Sequence, residues 1–388
     1  MYARSPPALG ISPASSARRA RVVVALGALL WIGAVVAAVI EVGAHGPPQF
    51  VPFPATACPA PLIGVDSTLA YDADDQQRAA TVAAIHTILH PRLVRDSLLW
   101  NEVEPVEGER DWSVPDGVVT DLRAAGIEPL LVVVGSPSWA NGVPESKPGH
   151  DLYVPPRGPA LDSWLQRYSK FLAAAVRRYH VVVKHWEIWN EPNLIDFWRP
   201  RPDPVVYGQV YYTLRATILS ADPTASVAVG GLGDLTVAPA PSIPGLAFLR
   251  RLARTRAPIS NVAIHPYTSL AHPPDVRVSG ENNFQDIERI HELLVSLREP
   301  ALIWVTEWGW PSASVGRQAQ ARYLGRSLAM LENRYPFVSI ATYFTDHDLP
   351  MFSQGLLDRN LTAKPAASVF RFYAQRLAVR CRQLRSRP

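Results

Sequence analysis

Trp186-Glu187-Ile188-Trp189-Asn190-Glu191-Pro192-Asn193 follows the apolar run Val181-Val182-Val183 and precedes a helical pattern. The stretch therefore stands where a buried strand empties into a loop. An Asn-Glu pair at such a point is costly unless the carboxylate has a task, because a charge taken out of water must find partners. A second acid, Glu307, closes another buried run, Ala301-Leu302-Ile303-Trp304-Val305-Thr306. Both acids fall at the C-terminal ends of apolar runs, so the question is what holds the runs together.

On either side of these runs, short apolar segments alternate with amphipathic helical patterns, which argues for parallel strands. Strands are expected near 62–65, 92–98, 128–134, 181–188, 226–230, 261–265, 301–306 and 338–344. Helices are expected near 74–89, 115–125, 160–179, 204–221, 244–256, 283–298, 317–333 and 366–377. Eight such units make a closed (β/α)8 TIM barrel the economical reading, and barrels of this kind carry their active sites at the C-terminal ends of the strands. The barrel domain is expected over residues 62–380, with a basic tail at 381–388.

The net charge of +4 looks basic, but the charge sits at the ends. Arg4, Arg18, Arg19 and Arg21 precede any acid, and Arg376, Arg380, Arg382, Arg385 and Arg387 follow the last one. Without those nine arginines the net charge falls from +4 to −5. A nucleic-acid partner would need a basic face on the folded domain, so none is expected. A monomer is expected, with no cofactor and no metal, since no C-x-x-C motif or Cys/His cluster occurs.

Residues 1–21 are rich in Pro, Ser and Arg and read as a disordered cytoplasmic tail. Residues 22–40 contain no charge, and at a helical rise they span about 28 Å, close to the hydrocarbon core of a bilayer. Arginines flank only the N-terminal side, which places that end in the cytoplasm and the domain outside. This is the pattern of a single transmembrane helix, with a cleaved signal peptide as the alternative. Residues 41–61 carry repeated prolines and read as a stiff linker. The two cysteines, Cys58 and Cys381, stand at the two edges of the domain. A disulfide between them is one reading, which requires an oxidising compartment; two unpaired thiols are the other.

The residues suited to chemistry gather at the expected strand ends. Strand two supplies Arg95 and, beyond it, Trp100; strand three leads to Trp139; strand four gives Asn190 and Glu191; strand six gives His265 and Tyr267. Strand seven gives Glu307, Trp308 and Trp310, and strand eight Tyr343 and Phe344. Two opposed glutamates are the pair that glycosidic bond cleavage requires, one as acid/base and one as nucleophile. Trp100, Trp139, Trp189, Trp198, Trp308 and Trp310 cluster at the expected mouth, and a wall of flat faces suits stacking on sugar rings. Strand alternation counted back from Glu307 sends Trp304 toward the outer helices.

These motifs resemble those of retaining glycoside hydrolases of clan A, most of all family 39 and its exopolysaccharide-cleaving relatives, with family 5 cellulase-like enzymes next. The stretch Trp100-x-x-Val103-Glu104-Pro105-x-x-Gly108, the Trp186–Asn193 motif and Thr306-Glu307-Trp308-Gly309 carry the likeness. It implies Glu307 as nucleophile, kept ionised by Arg95, and Glu191 as the acid that protonates the departing oxygen and then activates water. It further implies that Asn190 binds the sugar 2-hydroxyl, and that His265 and Tyr267 orient Glu307. Arg95 has a second reading as a structural ion-pair partner of Glu187, His265 as a core histidine, and Tyr267 as rim packing. Many clan A enzymes place a Trp at the end of strand eight; here Tyr343 and Phe344 stand there. The expected substrate is a carbohydrate, an extracellular or cell-envelope polysaccharide. The alternatives are a transglycosylase on the same site and a barrel that only binds glycan.

Overall fold

The computed structural model describes residues 61–385 except 73 and 301. The expected tail, anchor and Cys58 lie outside the described residues, as does nearly all of the linker. Among the described residues no helix is long and apolar enough to cross a membrane.

Eight parallel strands close into one barrel in sequence order, with β1 hydrogen-bonded to both β2 and β8. They are β1 (Leu62–Asp66), β2 (Leu93–Leu99), β3 (Glu128–Val134), β4 (His185–Asn190), β5 (Ser226–Leu232), β6 (Asn261–Ile264), β7 (Leu302–Val305) and β8 (Val338–Phe344). The connecting helices are α1 (Asp75–Ala84), α2 (Ser113–Ala124), α3 (Pro159–Tyr179), α4 (Pro204–Ala221), α5 (Gly245–Ala253), α6 (Asp286–Leu297), α7 (Arg317–Asn333) and α8 (Pro365–Arg385).

The helices form where one apolar stripe can face the strands. In α3 the buried positions Leu161, Trp164, Leu165, Tyr168, Phe171, Leu172, Ala175, Val176 and Tyr179 recur at three- and four-residue spacing. Asp203 caps α4 by accepting from the amides of Val205 and Val206, and Pro204 takes the first helical position, where no amide hydrogen is needed.

Two expectations fail for local reasons. Val181–Val183 is not part of β4: the amides of Val182 and Val183 both donate to the carbonyl of Tyr179, so the run closes the end of α3 and is apolar because it plugs the layer beneath. Trp304 does not face the outer helices. Its ring meets His185 edge-on at 5.6 Å, and β4 and β7 are three strands apart around the barrel and not hydrogen-bonded to each other, so the two rings meet across the lumen. Alternation could not be counted back from Glu307, because β7 ends at Val305 and its pairing with β8 shifts between Ile303 and Trp304. The lumen is thus aromatic toward its N-terminal end and, one layer higher, charged.

Candidate active site

The charged layer is built around Arg95, which points inward from the middle of β2 and is buried. Its Nε and one terminal nitrogen grip Glu187 of β4, both at 3.1 Å. The other terminal nitrogen reaches Asp66 of β1 at 2.9 Å and Glu307 at 2.8 Å. Asn190 Oδ1 accepts from Arg95 at 2.8 Å. Burial works against the charge on Arg95, but Glu187, Asp66 and Glu307 outweigh that effect and hold its guanidinium well above its ordinary range. The two readings of Arg95 therefore describe one side chain: it is the structural partner of Glu187 and it touches Glu307. At Asp66 burial outweighs the attraction of Arg95 and raises the carboxyl well above the ordinary range.

Glu191 reaches its place through strained backbone. Trp189 and Glu191 both have positive φ, 71° and 43°, a region that costs a non-glycine residue about 1–3 kcal/mol. The strain is held by packing: the Trp189 indole is buried, donates to the Phe197 carbonyl at 2.7 Å and lies edge-on to Trp198. The amide of Glu191 donates to Gly231 on β5 at 2.9 Å.

Across the mouth, Tyr267 donates its hydroxyl to Oε2 of Glu307 at 3.0 Å, while Arg95 holds Oε1. His265 lies between the two glutamates, with Nδ1 2.8 Å from Oε1 of Glu191 and Nε2 3.6 Å from Oε1 of Glu307. One carboxyl oxygen of each glutamate and a ring nitrogen of His265 all lie within 4.8 Å of one another. So close an approach of the two carboxylates is consistent with the roughly 5–5.5 Å spacing of retaining glycosidases. Burial pushes the Glu191 carboxyl up to about 8, with Asp196 and Glu187 adding to it against Arg95. Burial pulls His265 down to about 4. At neutral pH Glu191 is an uncharged acid and His265 a neutral imidazole.

The aromatic wall is not where the sequence placed it. Trp100 is buried under α3, stacked on Tyr168 at 4.4 Å with its indole nitrogen on Glu104. Trp308 donates to Ser327 of α7, and Trp310 to the His272 carbonyl. Tyr343 is buried edge-on against Trp308. Trp189 and Trp198 are buried as well. Each indole hydrogen needs an internal partner once buried, and those partners lie in the helices and loops. Trp139 alone of the set is partly exposed; it bonds the Glu104 carbonyl and lies edge-on to Trp100. Phe344 brings a second ring to the site beside Tyr267; it is partly exposed and edge-on to Tyr267 at 6.3 Å. Tyr343 and Phe344 are adjacent on β8, and alternation gives the lumen to Phe344.

Sequence reasoning passed over Asp66, and it noted Phe344 and Gly230-Gly231 at the strand ends without giving them a role. Asp66 ends the apolar run of β1 in the same way that Glu307 ends that of strand seven, which was the available signal. Glu191, His265 and Glu307 are close enough to hold an ion, but Arg95 already places a positive charge on Glu307, which disfavours a second cation there.

No family model matches the chain. A curated β-xylosidase of Geobacillus stearothermophilus is 28% identical over 196 residues, which are 47% of this chain and 36% of the relative; the chain thus matches about a third of that protein's length. Among solved structures, a family 39 glycoside hydrolase from Bacteroides cellulosilyticus WH2 superposes with a TM-score of 0.62 at 25% identity, covering 81% of this chain and 64% of the other. A monomeric β-xylosidase from Caulobacter crescentus CB15 superposes with a TM-score of 0.61 at 19% identity, covering 82% and 69%, which is a likeness of fold. In sequence and in architecture, this chain resembles the clan A glycoside hydrolases, family 39 among them.

Proposed function

We propose that this protein is a retaining glycoside hydrolase that cleaves O-glycosidic bonds of an extracellular or cell-envelope polysaccharide or oligosaccharide by double displacement. The observation that carries the reading is the opposed pair itself: a carboxyl oxygen of Glu191 and one of Glu307 within 4.8 Å of each other, one acid in a burying pocket and one against a guanidinium. In the first step Glu307 attacks the anomeric carbon while Glu191 gives its proton to the leaving oxygen. In the second, Glu191, now a carboxylate, takes a proton from water as the water displaces Glu307. Oε1 of Glu191 is held by His265, which leaves Oε2 to face the leaving group. Asn190, fixed by Arg95, is placed to meet the sugar 2-hydroxyl, and Phe344 to floor the glycone site.

The setting outside the cytoplasm rests on residues 22–40, an uncharged span preceded by arginines. A monomer accords with the β-xylosidase of Caulobacter crescentus described as monomeric. The test is to screen the protein against aryl β-glycosides and envelope glycans beside Glu307→Ala. Turnover is expected in the parent and not in the folded variant; a variant with the parent's rate would end the reading.

A further inference from the structure

Glu191 keeps its position against a neighbour that has no side chain. A Cβ added at Gly233 would lie 2.4 Å from Oε1 of Glu191 and 2.9 Å from its Cδ, well inside van der Waals contact. Gly233 follows the end of β5 and is held by one residue, Asn193. The Asn193 side chain accepts from the Gly233 amide at 3.2 Å and donates to the Gly233 carbonyl at 2.8 Å. Its second amide hydrogen goes to the Ile243 carbonyl at 2.8 Å, and its own backbone carbonyl accepts from the Ile243 amide at 2.9 Å. Asn193 is fully buried, and its two bonds to Gly233 are made away from competing water.

The geometry asks for one acceptor and two donors on a short side chain, which is what an asparagine offers. Only Pro192 separates Asn193 from Glu191, and its fixed φ leaves little slack between them. One side chain thus ties the loop that bears Glu191 to the loop that makes room for Glu191's carboxyl. We propose that Asn193 is a positioning residue which, through Gly233, sets the place of the Glu191 carboxyl and so governs proton transfer to the leaving group rather than substrate binding. This rests on the reading of Glu191 as the acid.

Two variants test it. Asn193→Asp keeps the shape and removes both donors; Gly233→Ala leaves Asn193 intact and crowds Glu191 directly, against the movable end of a side chain, so that the fold is retained. Each is assayed on two aryl glycosides of one sugar, one with a leaving group that departs without a proton and one that needs it. The readout is kcat/KM, which reports only the first step. General acid catalysis contributes on the order of 10²–10⁴-fold, and a misplacement of about 1 Å costs on the order of 10²-fold. We expect a loss of about 10²-fold on the demanding substrate and less than about 3-fold on the activated one, with the alkaline limb of the pH profile displaced. Equal losses on both substrates, or none on either, in folded Gly233→Ala overturn the proposal, whatever becomes of Asn193→Asp. Glu307→Gln separates the two levels: if it retains the parent's activity, the glycosidase reading fails; if it is inactive while Gly233→Ala behaves as the parent, only the role of Asn193 fails.

Discussion

Nδ1 of His265 lies 2.8 Å from Oε1 of Glu191, and the environment leaves both groups uncharged at neutral pH. Burial acts in opposite directions on an acid and a base: it holds the proton on the carboxyl and keeps one off the imidazole. The first step of catalysis needs Glu191 protonated. The rate on a substrate with a poor leaving group should therefore fall as pH rises through about 8. Burial is the main cause, with Asp196 next among the groups that add to it, so Asp196→Asn should move that limb to lower pH by less than His265→Ala, which lets water reach the carboxyl. A pH–rate profile of kcat/KM measures both shifts; a limb that stays in place in His265→Ala contradicts burial as the cause.

The same carboxyl ties function to stability. Its proton is held more tightly in the folded chain, to about 8, than at the ordinary value of 4.5. The folded state therefore binds more protons between those values, and stability is full below about 4.5 and is lost as pH rises through about 8. Glu191→Gln cannot ionise. It should be more stable than the parent at pH 9 by on the order of a few kcal/mol, and this advantage should vanish near pH 4.5. Urea unfolding at the two pH values gives the answer; a variant less stable than the parent at pH 9 contradicts it.

Among the described residues, Arg95 is the one cation that contacts Asp66, Glu187 and Glu307 together. Removing one partner of a buried charge pair costs about 3–5 kcal/mol, because the other is left without compensation. Arg95→Met should lose about that much stability together with activity. Arg95→Lys should recover little of either, since a single ammonium cannot reproduce the two-edged fork on Glu187 while also reaching Glu307. Unfolding titrations paired with activity assays measure both, and full rescue by lysine would refute the geometry.

Phe344 and Tyr343 should separate cleanly. Phe344 faces the site beside Tyr267, and Tyr343 packs against Trp308 behind the strand. Phe344→Ala is expected to raise KM or lower kcat about 10-fold or more with little change in melting, while Tyr343→Ala lowers stability by about 3–5 kcal/mol. The reverse pattern in thermal melts and kinetics would mean that the strand presents its other face.

The barrel was legible because eight apolar runs and the helical periods between them are signals of local origin. That Glu191, Glu307, Arg95, His265 and Tyr267 meet at one end of the barrel was legible because polar groups closing buried runs have few structural uses. The tryptophans were not, since adjacency to a strand end says nothing of which way a side chain turns. Trp308 and Trp310 stand next to Glu307 in sequence, yet their indole hydrogens are bonded to Ser327 and His272, partners that only the folded chain supplies. Trp304 misled for a related reason: alternation holds inside a strand, and β7 stops at Val305, short of Glu307. The role of Gly233 leaves no mark in sequence, because it consists of an absent side chain beside a residue 42 positions away.

The account depends above all on Glu307 forming a bond to the sugar. A 2-deoxy-2-fluoro aryl glycoside of an accepted sugar slows the second step more than the first, and so accumulates the covalent intermediate. Mass spectrometry of the digested protein should then find one added fluorosugar on the peptide that contains Glu307. An enzyme that turns over its substrate but carries the label on another residue, or that releases product of inverted anomeric configuration with no label at all, contradicts the account.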